Sequence, residues 1–226
     1  MQEPSEPSVR GSIVRGVVEE LLRQREGGAI PPERLAEELE PADLAILADK
    51  VLDGGWYPAA SYSRLLELLC RSVGRGSRIF YAERGAVNAQ RLMDAGLYAQ
   101  LDLLERLPQE IEVTDDAPEH ERLARMGRAF ATKLEHIVSL AGSIYSMGRW
   151  SVVSDPDTGE RLCIEIVEAE AYTDPMRLAI EGFLNQCVRT VPGREPLARL
   201  FRSERAATDL IRIRMTMDLR QVMAKV

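Results

Sequence analysis

The spacing of apolar residues changes once along this chain, from a helical repeat to an alternation near the end. Between Gly11 and Tyr98, apolar side chains recur every three or four residues, and Gly or Pro residues separate the runs. This spacing predicts a series of amphipathic helices. Pro31 and Pro32 open one of them and Pro41 opens another, because a proline at the first helical position sacrifices no hydrogen bond.

The longest helical run extends from Glu119 to Met147, and Gly148 ends it. Its apolar face carries Phe130, Leu134 and Ile137, which follow helical spacing. The acidic stretch 109–118 precedes this helix and is expected to connect the two halves of the chain at the surface.

Alternation between apolar and other residues dominates after Arg149. Two alternating runs flank the turn PDTG, which predicts a hairpin. A helix then begins at Asp174, a good N-cap, and its Gly182 is expected to mark close contact with the sheet. A second hairpin ends in LIRIRMTM, so the predicted order is β-β-α-β-β.

These elements predict an α+β protein, in which a helical N-terminal half packs on a C-terminal helix and a four-stranded antiparallel sheet. Residues 1–10 are mostly polar and are expected to form a disordered tail. A helical region spans 11–110, and the α+β region spans 118–217. At 226 residues, the chain is long enough for both regions to share one compact unit.

Composition excludes some classes of protein. The chain has 29 Lys and Arg against 36 Asp and Glu, a formal net charge of −7, and only 5% aromatic residues. It therefore lacks the overall positive charge of a nucleic-acid-binding protein, and the few aromatic residues argue against base stacking; a local basic patch is the alternative that composition leaves open. No apolar run reaches membrane-spanning length and the start does not resemble a signal peptide, so a cytoplasmic location is expected.

Residues with catalytic or metal-binding chemistry are scarce. Cys70, Cys163 and Cys187 lie far apart in apolar runs, as buried thiols do. His120 and His136 lie too far apart on one predicted helix to chelate a metal ion unaided. No P-loop, nucleophile elbow, zinc-protease or dinucleotide-binding motif is present. The sequence therefore predicts neither a catalytic constellation nor a metal site.

Arg212 and Arg214 would share one face of the last strand, opposite Ile211 and Ile213. Two arginines on one face could bind an anion or an acidic protein partner, since guanidinium groups suit oxyanions. The alternative is a solvent-exposed sheet face on which the arginines pair with Glu165 and its neighbours.

The second half of the chain resembles the fold shared by TRAPP subunits, vinyl-reductase-type domains and haem–nitric-oxide-binding domains. The resemblance rests on the helix from Glu119 followed by the β-β-α-β-β series. The whole chain is similar in layout to an uncharacterised protein family of myxobacteria, through the segments GSIVRGVVEEL and WYPAASYSRLLELL. Together these features cover about residues 10–217. The resemblance implies a non-enzymatic module that holds a small apolar ligand or dimerises through its helices.

The haem-binding members of that group suggest one possible cofactor. They use a proximal histidine and a Y-x-S-x-R motif that holds the haem propionates. Here Tyr145, Met147 and Arg149 give Y-x-M-x-R, and His120 or His136 would have to bind the iron. We expect a protein without a cofactor, with haem as the alternative.

The leading hypothesis is a sensor or adaptor domain that binds a small hydrophobic ligand between helices and sheet, since ligand pockets are mostly apolar. The expected lining comes from the long helix and two strands: Phe130, Leu134, Ile137, Ile164, Ile166, Ile211 and Ile213. The alternative is a ligand-free assembly subunit that acts as a homodimer or within a larger complex. An enzyme would need a site that the sequence does not show.

Overall fold

A computed structural model describes residues 4–96, 118–158, 161–189 and 200–216. The helices in these ranges are Gly11–Glu26 (α1), Pro32–Glu38 (α2), Pro41–Ala48 (α3), Ala59–Ser72 (α4), Arg78–Asp94 (α5), Glu119–Ile144 (α6) and Asp174–Arg189 (α7). The strands are Ser8–Arg10 (β1), Trp56–Pro58 (β2), Arg149–Ser154 (β3), Leu162–Val167 (β4), Phe201–Ala207 (β5) and Leu210–Met215 (β6). The protein is therefore α+β, as the apolar spacing predicts.

Strands β3 to β6 form one antiparallel sheet in the order β3–β4–β6–β5. In the central pair, Ile164 lies opposite Ile213 and Ile166 lies opposite Ile211. All four isoleucines are fully buried. Because alternate residues of a strand point to opposite faces, they share the face that joins the core. The predicted four-stranded antiparallel sheet is confirmed, and within the described ranges two of its strands precede α7 and two follow it.

Residues 8–10 form strand β1 of a short sheet with β2, so the expected disordered tail of residues 1–10 does not extend to this segment. Val9 pairs with Tyr57 and is fully buried. The guanidinium of Arg10 lies 3.8 Å from the ring centroid of Trp56, a cation–π contact. Sequence pattern missed this strand because three residues are too few to show alternation, and their partner lies far along the chain.

Two other predicted boundaries shift. The long helix ends at Ile144 rather than Met147, because Tyr145 already has an extended backbone, with φ −116° and ψ 128°. The helix expected up to Tyr98 ends at Asp94. The expected surface connection 109–118 lies outside the described residues apart from Pro118, as does 97–110 of the expected helical region. No helix in the described ranges is both long and apolar enough to cross a lipid bilayer.

Helices α5 and α7 lie side by side and run in the same direction. Near their first residues, Arg78 Nη2 donates to Asp174 Oδ2 over 3.0 Å. Three turns later, Gln186 Nε2 donates to Gln90 Oε1 over 2.8 Å. Because the early residues meet and the late residues meet, the helices are parallel.

Two glycines permit the close approach of these helices. A Cβ atom at Gly85 would lie 1.8 Å from the carbonyl oxygen of Ala179, and one at Gly182 would lie 1.8 Å from that of Ala82. The expectation that Gly182 marks contact with the sheet is therefore wrong. The missing side chain makes room for a neighbouring helix instead.

Polar side chains of α7 cover the outer edge of β5. Asn185 donates to the carbonyl oxygen of Phe201 (2.9 Å) and accepts from its N–H (2.8 Å). Glu181 accepts from the N–H of Ser203 (2.8 Å), and Arg177 donates to the Ser203 carbonyl oxygen (2.7 Å). An open edge strand can pair with other chains, and here α7 occupies the positions that such a chain would use.

A buried ion pair joins α3 to α4. Asp43 is fully buried and accepts from Arg64 twice, from Nε (2.7 Å) and from Nη2 (2.9 Å). Burial acts to raise the pKa of Asp43, but hydrogen bonds from Arg64, Ser61 and the Glu40 N–H outweigh it and hold the pKa below its ordinary value. The carboxylate therefore stays ionised and depends on Arg64.

Candidate functional site

The seven expected pocket residues lie together in the core. Each is at most 7% exposed: Phe130, Leu134, Ile137, Ile164, Ile166, Ile211 and Ile213. They belong to one contiguous set of buried apolar side chains. Of the seven, Ile137 also lines a crevice that opens towards the surface. Whether this region binds a ligand stays a prediction.

The apolar crevice lies between α1, α6, α7 and β3. Its lining is entirely apolar or aromatic: Ile13, Ile137, Leu140, Ala141, Ile144, Tyr145, Trp150, Ile180, Phe183 and Leu184. Tyr145, Trp150 and Phe183 are half-buried and therefore form its mouth. Its volume of about 20 Å³ has room for a single water molecule.

A cluster of three aromatic rings, those of Tyr145, Trp150 and Tyr172, holds the side chains on one side of the crevice mouth in place. Tyr145 stacks on Trp150 with 5.9 Å between ring centroids, and the Tyr172 ring lies 5.6 Å from Tyr145. The Tyr172 hydroxyl accepts from Trp150 Nε1 (3.0 Å) and donates to the Met147 carbonyl oxygen (2.8 Å). Burial raises the pKa of Tyr172, so its hydroxyl remains a donor at neutral pH. Trp150 is thereby held in one orientation beside the crevice.

The residues of the Y-x-M-x-R pattern do not fit a haem site. Tyr145 packs in the aromatic cluster, and Arg149 forms an exposed ion pair with Glu168 at 3.0 Å. His136 is exposed on α6, and the side chain of His120 lies outside the described residues. The volume of the crevice beside Tyr145 has room for one water molecule, whereas a porphyrin is many times larger. The alternative of haem therefore gains no support from this geometry.

The outer sheet face places Arg212 and Arg214 among carboxylates. Arg212 Nε donates to Glu165 Oε1 over 2.8 Å. Arg214 lies against three acidic side chains: Asp157, Glu204 (3.0 Å) and Asp155 (3.4 Å). The hydrogen bond with Glu165 raises the pKa of Arg212, and the one with Asp157 raises that of Arg214. The two guanidiniums thus have carboxylate partners on the sheet and in its first hairpin turn, and their role as a binding surface stays a prediction.

A polar cleft separates α1 from α5 and was not predicted from the sequence. It has a volume of about 410 Å³ and is lined by Gly16, Glu19, Glu20, Arg23, Arg84, Val87, Asn88 and Arg91. Arg91 donates to the Ser12 carbonyl oxygen near the start of α1, whereas Arg84 lies near Glu20, further along that helix. The two helices therefore run antiparallel here.

The cysteines show no sign of nucleophilic chemistry. All three are buried free thiols. Burial raises the pKa of Cys187 to about 12 and, with the charges of Asp155 and Glu165, that of Cys163 to about 11. A thiol must ionise before it can attack, so these two are inert near neutral pH. Within the described ranges, no three His, Cys, Asp or Glu side chains are grouped as metal ligands.

No protein-family model, curated protein or solved structure matches this chain. The resemblance to the TRAPP-like group therefore stays a prediction, and any function has to be argued from the two clefts and the sheet.

Proposed function

We propose that the protein is a non-enzymatic binding module that takes a small apolar ligand into the apolar crevice between α6, α7 and β3. The observation that supports this proposal is the lining, which consists only of apolar and aromatic side chains, with three half-buried rings at the mouth. Hydrophobic and aromatic side chains predominate in the lining of small-molecule sites.

The crevice must widen to admit a ligand, because its present volume has room for only one water molecule. Helix α6 contributes only apolar side chains to it, namely Ile137, Leu140, Ala141 and Ile144. Apolar packing is non-directional and scales with the area removed from water. A ligand inserted between α6 and α7 would therefore replace these contacts without leaving a polar group unpaired.

Trp150 offers a direct test. In a Trp56→Phe background, Trp150 is the sole tryptophan, and its fluorescence is expected to change saturably on titration with 1-decanol. Ala141→Leu fills the crevice and should weaken decanol binding by about tenfold or more. This factor corresponds to one or two methylene groups of decanol that are no longer buried. Ala131→Leu on the same helix is the control, because Ala131 is half-buried and does not line the crevice.

Two results would reject the proposal. One is the absence of saturable decanol binding to a folded protein. The other is equal weakening by Ala131→Leu and Ala141→Leu, which would mean that the probe binds elsewhere. Native mass spectrometry of freshly purified protein adds an independent measurement, since a bound natural ligand would appear as a discrete mass increment.

A second candidate function is assembly through the free edge of the sheet. In the described ranges, no strand pairs with the outer edge of β3, whereas α7 covers the opposite edge at β5. An exposed edge strand can pair with the same strand of a second copy. Light scattering should then report a dimer, and Val153→Lys should shift it to monomer. A monomer at all concentrations would reject this candidate.

A further inference from the structure

We propose that the polar cleft between α1 and α5 is a binding site for a small oxyanion, a carboxylate or phosphate carried by a molecule that also offers a hydrogen-bond donor. The site is separate from the apolar crevice and does not depend on it. The polar residues that define it are Arg84, Asn88 and Arg91 on α5, which face Gly16 and Glu20 on α1.

Three buried polar atoms in this cleft have no hydrogen-bond partner. They are Nε of Arg84, Oδ1 of Asn88 and Nε of Arg91. Asn88 is only 4% exposed. Burying a polar atom without a partner is unfavourable because its hydration is lost without replacement, so such atoms are rare in folded proteins. Their occurrence on three residues of one helix face indicates that a partner is missing from the cleft.

The spacing of these residues would allow one ligand to contact all of them once the side chains that now bury the three atoms shift. Arg84 and Arg91 flank Asn88 by one helical turn on either side, so the three side chains form a single stripe. Gly16 faces the middle of this stripe, and a Cβ atom there would lie 2.3 Å from Asn88 Oδ1. The absence of a side chain at Gly16 therefore gives Asn88 its place at the cleft.

The charges in the cleft favour an anion. Both carboxylate oxygens of Glu20 accept hydrogen bonds from side chains of its own helix: Oε1 from Gln24 over 2.8 Å, and Oε2 from Arg23. Arg84 Nη1 forms a long ion pair with Glu20 Oε2 at 3.7 Å. Glu19 also lines the cleft, so three arginines (Arg23, Arg84 and Arg91) share it with two carboxylates, and one positive charge is left in excess.

The remaining contacts of the two α5 arginines with α1 are to neutral carbonyl oxygens, those of Gly16 and Ser12. A carbonyl satisfies an N–H without cancelling the charge, so Arg91 keeps its attraction for an oxyanion. The long ion pair with Glu20 neutralises Arg84 only in part.

The unpaired atoms also define the ligand. The two Nε–H groups donate, so they require oxyanion oxygens, whereas Asn88 Oδ1 accepts and requires a hydroxyl or an amine. Inorganic phosphate and lactate both combine these features, one as a phosphate and one as a hydroxycarboxylate. They are therefore the two probes, and the tighter of them assigns the chemical class.

The experiment is calorimetric titration of the full chain with phosphate and with lactate, at constant ionic strength. We expect saturable binding of at least one probe. Arg91→Gln removes one charge-assisted donor and should weaken that binding by about tenfold. Arg25→Gln is the matched control, because it removes the same charge from an exposed position of α1 outside the cleft.

A second pair of variants avoids any effect on folding. Val87 is 50% exposed at the rim of the cleft, and Ile79 is 56% exposed on the same helix outside it. Val87→Glu should weaken probe binding by about threefold through like-charge repulsion, and Ile79→Glu should leave it unchanged. Failure of both probes to saturate, or equal effects of the cleft variants and their controls, would overturn the proposal.

Discussion

Replacing either Gly85 or Gly182 with alanine is expected to lower the free energy of unfolding by about 2 kcal/mol. The new Cβ would meet a backbone carbonyl oxygen of the facing helix at 1.8 Å. Carbon and oxygen atoms approach to about 3.3 Å, so α5 and α7 would have to separate locally by about 1.5 Å.

The magnitude follows from two opposing effects. Overpacking a tight contact typically costs about 1–3 kcal/mol, and the upper end applies here because a backbone carbonyl cannot rotate away as a side chain can. Alanine favours the helix over glycine by about 1 kcal/mol, which offsets part of the loss. The net effect of about 2 kcal/mol corresponds to a fall in melting temperature of about 4–8 °C for a chain of this size.

Urea denaturation followed by circular dichroism measures this change, with Gly54→Ala as the control. No atom lies within 4 Å of a Cβ at Gly54, so that substitution should change stability by less than about 0.5 kcal/mol. The double variant should lose less than the sum of the single losses, because one separation of the helices relieves both contacts. Single variants as stable as the wild type, or strict additivity, would refute the packing argument.

Three further predictions concern buried polar groups. Arg64→Met should reduce stability by about 3–5 kcal/mol in urea denaturation at pH 7, because Asp43 would remain buried without its partner. Folding lowers the pKa of Asp43, so the ionised carboxylate stabilises the wild type at pH values above its unfolded pKa near 4. The difference in free energy of unfolding between wild type and variant should therefore shrink as pH falls below about 4. A constant difference down to about pH 3 would contradict this. Asn185→Leu removes both bonds to Phe201 and should lower the free energy of unfolding by about 1–3 kcal/mol, and light scattering should show more association than in the wild type. Wild-type stability and an unchanged association state would argue against the edge-covering role. Cys187, with its pKa raised to about 12, should resist iodoacetamide at pH 8 in the native protein and react fully in urea, and rapid native labelling would disprove its burial.

The sheet could be predicted from sequence because its evidence is local. Ile211 and Ile213 alternate with arginines over a full strand, and a strand with one buried face has to repeat every two residues. The turn PDTG then sets the first hairpin. Strand β1 lacked any such signal, since its pairing with β2 depends on a contact between distant parts of the chain.

The polar cleft could not be predicted for a different physical reason. Arg84, Asn88 and Arg91 follow the helical spacing of an ordinary solvent-exposed face, and only the approach of α1 buries them. Gly16 permits the approach of α1 to α5, and Gly85 permits the contact of α5 with α7. In the sequence, however, a glycine within a helix does not indicate which element lies against it. The sequence therefore did not predict which helices pack against each other.

The side chains of Asn185, Glu181 and Arg177 along β5 also determine how many copies could join through the sheet. With that edge occupied, β3 is the open edge within the described ranges. Two copies that pair through β3 about a two-fold axis use up both open edges. As far as the structure describes the chain, such a pair presents no further open edge of the four-stranded sheet to a third molecule. Growth into filaments through this sheet, the usual hazard of an uncovered edge, would thus stop at two copies.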